Sequence, residues 1–175
     1  MRKSLPVYLV MLAMALSAAA QSDSQRAPST PEERKRFLEI TKKLEQDPLN
    51  EDLRTDRAWA LKWLEDVPDI NVNMCTPVLG NLGESRYRYA PQVGAQFGLA
   101  MASFIIEHPN QANDLNAQYM AGVEGALRAY KSILKTQPMA VSAQLEALTD
   151  RQDQGKLEEF VRERAKECAT GDRTT

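Results

Sequence analysis

Histidine occurs once in this 175-residue chain, at position 108, and cysteine twice, at 75 and 168. One imidazole excludes a zinc site built on several histidines, and a Ser-His-Asp or Cys-His triad has only His108 to draw on. No G-x-S-x-G nucleophile elbow occurs. Also missing are a Walker A loop, a G-x-G-x-x-G after a strand, a calcium-binding loop and any C-x-x-C pair, so no cofactor and no metal is indicated. His108 stands at the end of a helical stretch, directly before Pro109, and reads as a group near the negative end of a helix dipole.

A surplus of basic charge is absent too. The chain holds 22 Lys and Arg against 24 Asp and Glu, with no basic stripe to neutralise phosphates, so nucleic acid is not an expected partner. Long uncharged apolar runs are missing after residue 20, which argues against stable membrane insertion of the rest of the chain.

The first twenty residues differ from all that follows. Arg2 and Lys3 precede an apolar run from Leu5 to Leu16 that ends on Ala18 and Ala20, the pattern of a secretory signal peptide over 1–20. No cysteine lies at the junction, which argues against a lipid anchor. Two of the basic residues and none of the acidic ones fall in this segment, so the remainder carries about −4. Periplasm and medium are both compatible destinations. Residues 21–29 are polar, lack apolar periodicity and read as a disordered leader.

What remains, residues 30–168, has the length of a single domain able to bury a core without metals. In an exported chain an isolated cysteine pair has one intramolecular partner choice, so Cys75 and Cys168 are expected to form a disulfide. In the chain-entropy view a loop of this length contributes roughly 4 to 5 kcal/mol. Residues 169–175 read as a flexible tail.

Apolar spacing gives an all-α fold, a bundle or array of antiparallel hairpins with five to six helices. Thr30, Pro31 and Glu33 mark the start of the first helix, whose apolar face is Phe37, Ile40 and Leu44. The second begins near Asn50, presents Leu53, Trp59, Ala60, Trp63, Leu64 and Val67, and stops at Pro68. The Trp59–Trp63 stripe reads as core. The third, Pro91 to His108, turns Val93, Phe97, Met101, Phe104 and Ile105 inward. The fourth, Asn113 to Lys135, buries Leu115, Tyr119, Val123, Leu127, Tyr130 and Leu134. Gly94, Gly98 and Ala102 on the third helix and Ala121, Gly125 and Ala129 on the fourth recur every four residues, a spacing that permits close packing of the two as a hairpin. Two short helices, Met139 to Thr149 and Gln154 to Cys168, flank the polar stretch DRQDQG.

Between Pro68 and Pro91 the helical signal stops. Asn71, Asn73, Gly80, Asn81 and Gly83 supply turn chemistry, and SRYRYAP alternates with period two. That alternation sends Tyr87 and Tyr89 to the bundle and Arg86 and Arg88 outward. The segment reads as a structural joint pinned by Cys75, and its Arg-Tyr-Arg-Tyr run is the candidate contact patch for an acidic or glycan partner.

The stretch ALRAYKSILKTQP resembles the second helix of a tetratricopeptide repeat, with Ala126, Tyr130 and Pro138 in matching places. Ile133 stands where that pattern has alanine, the preceding helix lacks its landmarks, and no copy follows roughly 34 residues away. The resemblance covers those thirteen residues alone.

These observations favour a non-catalytic binding or protein-interaction domain whose partner is another exported or envelope protein or peptide. Two other classes fit. One is an envelope glycan-acting enzyme using paired carboxylates, drawn from Glu84, Glu107 and Asp114; the other is a small inhibitor or immunity-type protein. Most remaining acids sit in helix-surface patterns such as EERKR, opposite basic residues.

Overall fold

The computed structural model describes residues 26–171, with the side chains of 169–171 set aside. The expected signal peptide, residues 21–25 of the expected leader and residues 172–175 of the expected tail lie outside the described residues. Within them the fold is all-α: α1 Pro31–Gln46, α2 Arg54–Asp66, α3 Ala90–Glu107, α4 Leu115–Thr136, α5 Ala143–Asp153 and α6 Leu157–Gly171. Short 3-10 turns at Glu51–Leu53, Thr76–Leu79, Leu82–Glu84 and Pro109–Gln111 occupy the links. Among the described residues no helix is long and apolar enough to cross a membrane.

The start of α1 follows from its capping box. Thr30 accepts from the Glu33 amide, and the Glu33 carboxylate accepts from the Thr30 amide at 2.9 Å. Residues 26–29, expected to belong to a disordered leader, are instead held in place. Asp69 accepts from the amide and hydroxyl of Ser29 at 2.8 and 2.7 Å and pairs with Arg34 at 2.8 Å, while Arg26 pairs with Glu33 at 2.6 Å. Burial pushes the Asp69 carboxyl upward, but the Ser29 and Arg34 bonds outweigh it and hold the group at about 2. Asp69 lies forty positions from Ser29 in sequence, which is why the local composition of the leader does not reveal this anchor.

Asn50 caps as expected, but it opens the 3-10 turn before α2 rather than α2 itself. Trp63 is core and Trp59 stacks on it at 5.9 Å, half-buried beneath the Arg36 guanidinium at 4.0 Å. At the far end of the chain α5 begins four residues later than expected. The Tyr130 hydroxyl accepts from the Ser142 amide at 3.1 Å, which fixes Ser142 in extended backbone, and the Ser142 hydroxyl then caps α5 at Leu145. The helix continues through Asp153, most of the stretch read as a separator. It ends where Gly155 takes the left-handed conformation (φ +68°), with Lys156 N–H bonded to Arg151 O and Gly155 N–H to Gln152 O. The last helix runs on to Gly171, past Cys168, where the sequence reading placed its end.

Helix α3 is the central element. Val93, Phe97 and Met101 pack into one core with the 3-10 segment, α4, α5 and α6, while Leu99, Ala102 and Ile105 pack into a second core with α1 and α2. Its contact with α4 is the most extensive in the molecule. A Cβ built on Gly125 would lie 2.3 Å from the Ala100 Cβ, and one on Gly122 would lie 2.7 Å from Phe97 and Met101. These two glycines set the approach. Of the expected stripes, Gly125 belongs to the contact; Gly98 instead faces the Met74 sulfur at 3.3 Å, and Gly94 faces open space. Leu115, expected inside, is 47 % exposed, because Asp114 caps α4 and leaves the first turn at the surface.

Cys75 and Cys168 form the expected disulfide, Cα to Cα 5.8 Å, across 93 positions. Cys75 is fully buried. Arg164 reinforces the link by donating to the Pro77 carbonyl at 3.2 Å and to the Asn81 side chain at 3.3 Å. Replacing both cysteines with serine is expected to lower stability by about 2–5 kcal/mol in urea denaturation. Hydrogen exchange locates the effect: amides of residues 75–89 lose protection before those of α3 and α4.

Candidate functional site

The hairpin of α3 and α4 determines what stands at its open end. Residues just before α3 meet residues just after α4, so the segment Ser85–Tyr89 faces Gln137–Gln144 across a solvent-open groove of about 520 Å³. All four residues singled out in sequence, Arg86, Tyr87, Arg88 and Tyr89, line it. Their burial alternates. Tyr87 and Tyr89 are half-buried and packed on the core, and Arg86 and Arg88 are exposed.

Tyr87 and Tyr89 line one wall, and the buried Tyr130 ring stands behind them. Tyr87 meets Tyr89 edge-on at 5.9 Å and Tyr130 of α4 edge-on at 6.1 Å. Such contacts contribute about 0.5–1.5 kcal/mol each beyond area burial, which offsets the roughly 1–3 kcal/mol cost of the Tyr87 hydroxyl, buried without a hydrogen-bond partner. Burial, with Tyr89 alongside, pushes Tyr87 up to about 12. Burial also pushes Tyr130 to about 12, helped by its bond to the Glu146 carboxylate at 2.5 Å.

The opposite wall is the link into α5, a turn over Gln137–Ala140 followed by Ser142 in extended backbone. Met139 is 94 % exposed and Val141 60 % exposed, two apolar side chains left in solvent beside the arginines. Arg88 lies over the Tyr89 ring at 5.4 Å, and neither Arg86 nor Arg88 forms an ion pair among the described residues. No carboxylate lines the groove. It is a surface with two uncompensated guanidinium groups, an aromatic wall and an apolar lip.

Sequence reasoning found the arginine side of this groove and missed the other. Apolar spacing places Met139 and Val141 in a helix, whereas they precede it; the signal for the later start is Ser142, a capping residue three positions before Leu145.

The carboxylates considered for catalysis line no common groove among the described residues. Asp114 is spent on capping α4, accepting from Ala117 N–H at 3.0 Å, and Glu84 is exposed on a 3-10 turn and lines neither this groove nor the cleft that holds Glu107. Glu107 lines a separate cleft between α1, α3 and α4 together with Glu39, Glu45 and Glu124; there Glu45 accepts from Arg128 at 2.8 Å, a bond that raises the guanidinium's pKa against the opposing effect of burial. His108 packs on Phe104 with ring centroids 4.7 Å apart. Among the described residues no group of three or more His, Cys, Asp or Glu is placed to hold a metal.

No model of a protein family, no curated protein and no solved structure matches this chain.

Tyr130 connects the two walls, since its hydroxyl bonds Ser142 and Glu146 while its ring carries Tyr87. Tyr130→Phe is expected to cost about 1–3 kcal/mol in urea denaturation, because it strands the buried Ser142 amide. Amide resonances of Met139–Ser142 are expected to broaden or shift in the same variant, with those of α1 and α2 unchanged.

Proposed function

We propose that the protein is an exported, non-catalytic helical binding domain that takes another exported or envelope protein or peptide in the groove between Arg86–Tyr89 and Met139–Ser142. The observation that carries this reading is the coincidence of two unpaired, exposed arginines with two exposed apolar side chains in a groove free of acids. Exposed apolar groups rimmed by charge mark contact surfaces, and arginine and aromatic residues dominate the energetics of such contacts. The guanidinium groups supply paired donors for a carboxylate, and Met139 supplies an adaptable apolar surface.

Export is supported by the cationic, apolar and small-residue order of residues 1–20 and by the Cys75–Cys168 disulfide, a bond that persists in oxidising compartments. A binding role rather than a reaction is supported by the placement of Glu84, Glu107 and Asp114, which line no common groove among the described residues.

An Arg86→Ala/Arg88→Ala variant is expected to melt within about 1 °C of the parent, since both side chains are exposed and unpaired. In pull-downs from envelope extract it is expected to lose at least tenfold of the partner captured by the parent. Equal capture by a folded variant would remove the groove as the contact surface.

A further inference from the structure

The groove does not end at Val141. It shares Ala143 and Gln144 with a second depression along α5, and that one shares Ala147, Arg151 and Phe160 with a third between α5 and α6. Shared walls make the three one track. Its length follows from the elements beneath it: the non-helical Ala140–Ser142 at about 3.3 Å per residue and then α5, Ala143–Asp153, at about 1.5 Å per residue give ~25 Å, the span of roughly eight extended residues. That is far longer than a small molecule requires. Along α5 the floor is apolar and low, with Ala143 and Ala147 beside Leu148 and the Phe160 ring.

Charge changes along the track. The Arg86 and Arg88 end has no acid in its walls, whereas the far end carries Asp150, Glu159 and Glu163 against Arg151 and Lys156. Arg151 is held flat on the Phe160 ring at 4.6 Å and donates to the Ala147 carbonyl at 2.8 Å, so it serves as part of the floor. Glu163 is engaged by Lys166 at 2.7 Å. Among the described residues Asp150 and Glu159 form no ion pair, and neither does Lys156, so this end offers free acids beside a base where the other end offers bases alone.

We propose that the occupant of this track is an extended polypeptide segment of about eight residues, acidic at the end seated on Arg86 and Arg88, small or apolar over Ala143 and Ala147, and basic at the end that reaches Asp150 and Glu159. This rests on the groove reading above and adds the ligand's class, length and orientation. The complementarity of charge at the two ends fixes the direction in which the segment lies.

The test is a random octapeptide display library panned on the disulfide-bonded protein, with the enriched peptides then titrated by fluorescence anisotropy against three variants. Enriched peptides are expected to carry an acid at one end and a base at the other. Arg86→Ala/Arg88→Ala and Ala147→Trp are each expected to weaken them at least tenfold, and Glu159→Lys several-fold. Glu159 is fully at the surface, so its variant decides the matter even where Ala147→Trp disturbs folding. Peptides that need the arginines but ignore both Ala147→Trp and Glu159→Lys would overturn the track and leave the groove standing. Peptides indifferent to the arginines, or no enrichment at all, would overturn both.

Discussion

Two glycines on α4 decide how close the central helices come, and everything at the surface inherits that distance. Gly125 against Ala100, and Gly122 against Phe97 and Met101, leave no room for a single added carbon. With the hairpin closed to this degree, α3 turns one face to α4 and the other to α1 and α2, so both cores are organised around it. The antiparallel register also brings Tyr87, just before α3, onto Tyr130 near the end of α4. The groove is the open end of that hairpin, and a wider spacing would separate its walls.

The disulfide acts on what the hairpin leaves loose. Residues 67–89 contain no α-helix, and their 3-10 turns expose backbone groups that a helix would satisfy internally. Cys75 ties this stretch to α6, Arg164 adds two hydrogen bonds, and Val78, Leu79 and Leu82 then reach the core. Arg86 and Arg88 are thereby presented from a fixed backbone. A preorganised contact surface loses less conformational freedom on binding than a mobile one, which favours affinity without added area.

Much of this architecture is legible in the sequence, for identifiable reasons. Helix starts with a side-chain cap and a periodic apolar face, such as Thr30 with Phe37, Ile40 and Leu44, are local signals and were recoverable. So was the disulfide, because two cysteines admit one intramolecular pairing. Features set by partners distant in the chain were not. Asp69 anchoring Ser29, and Tyr130 holding Ser142 extended, depend on residues brought together only by folding. Gly122 escaped notice because a spacing of four selects Ala121, Gly125 and Ala129, whereas the contact uses positions three apart. The arginines of the groove were visible as a period-two run; its apolar lip was hidden inside a helix that begins later than its periodicity implies.

The claim beneath all of this is that close α3–α4 packing, not helix propensity, explains the glycines of α4. The most direct measurement compares one substitution at two places, by urea denaturation of Gly125→Ala and Gly94→Ala. Alanine in a helix interior gains about 0.5–1 kcal/mol over glycine, so Gly94→Ala, facing open space, is expected to stabilise by that amount. At Gly125 the added carbon meets Ala100, and overpacking is expected to make the same change destabilising by about 1–3 kcal/mol. Stabilisation at both positions would contradict the account.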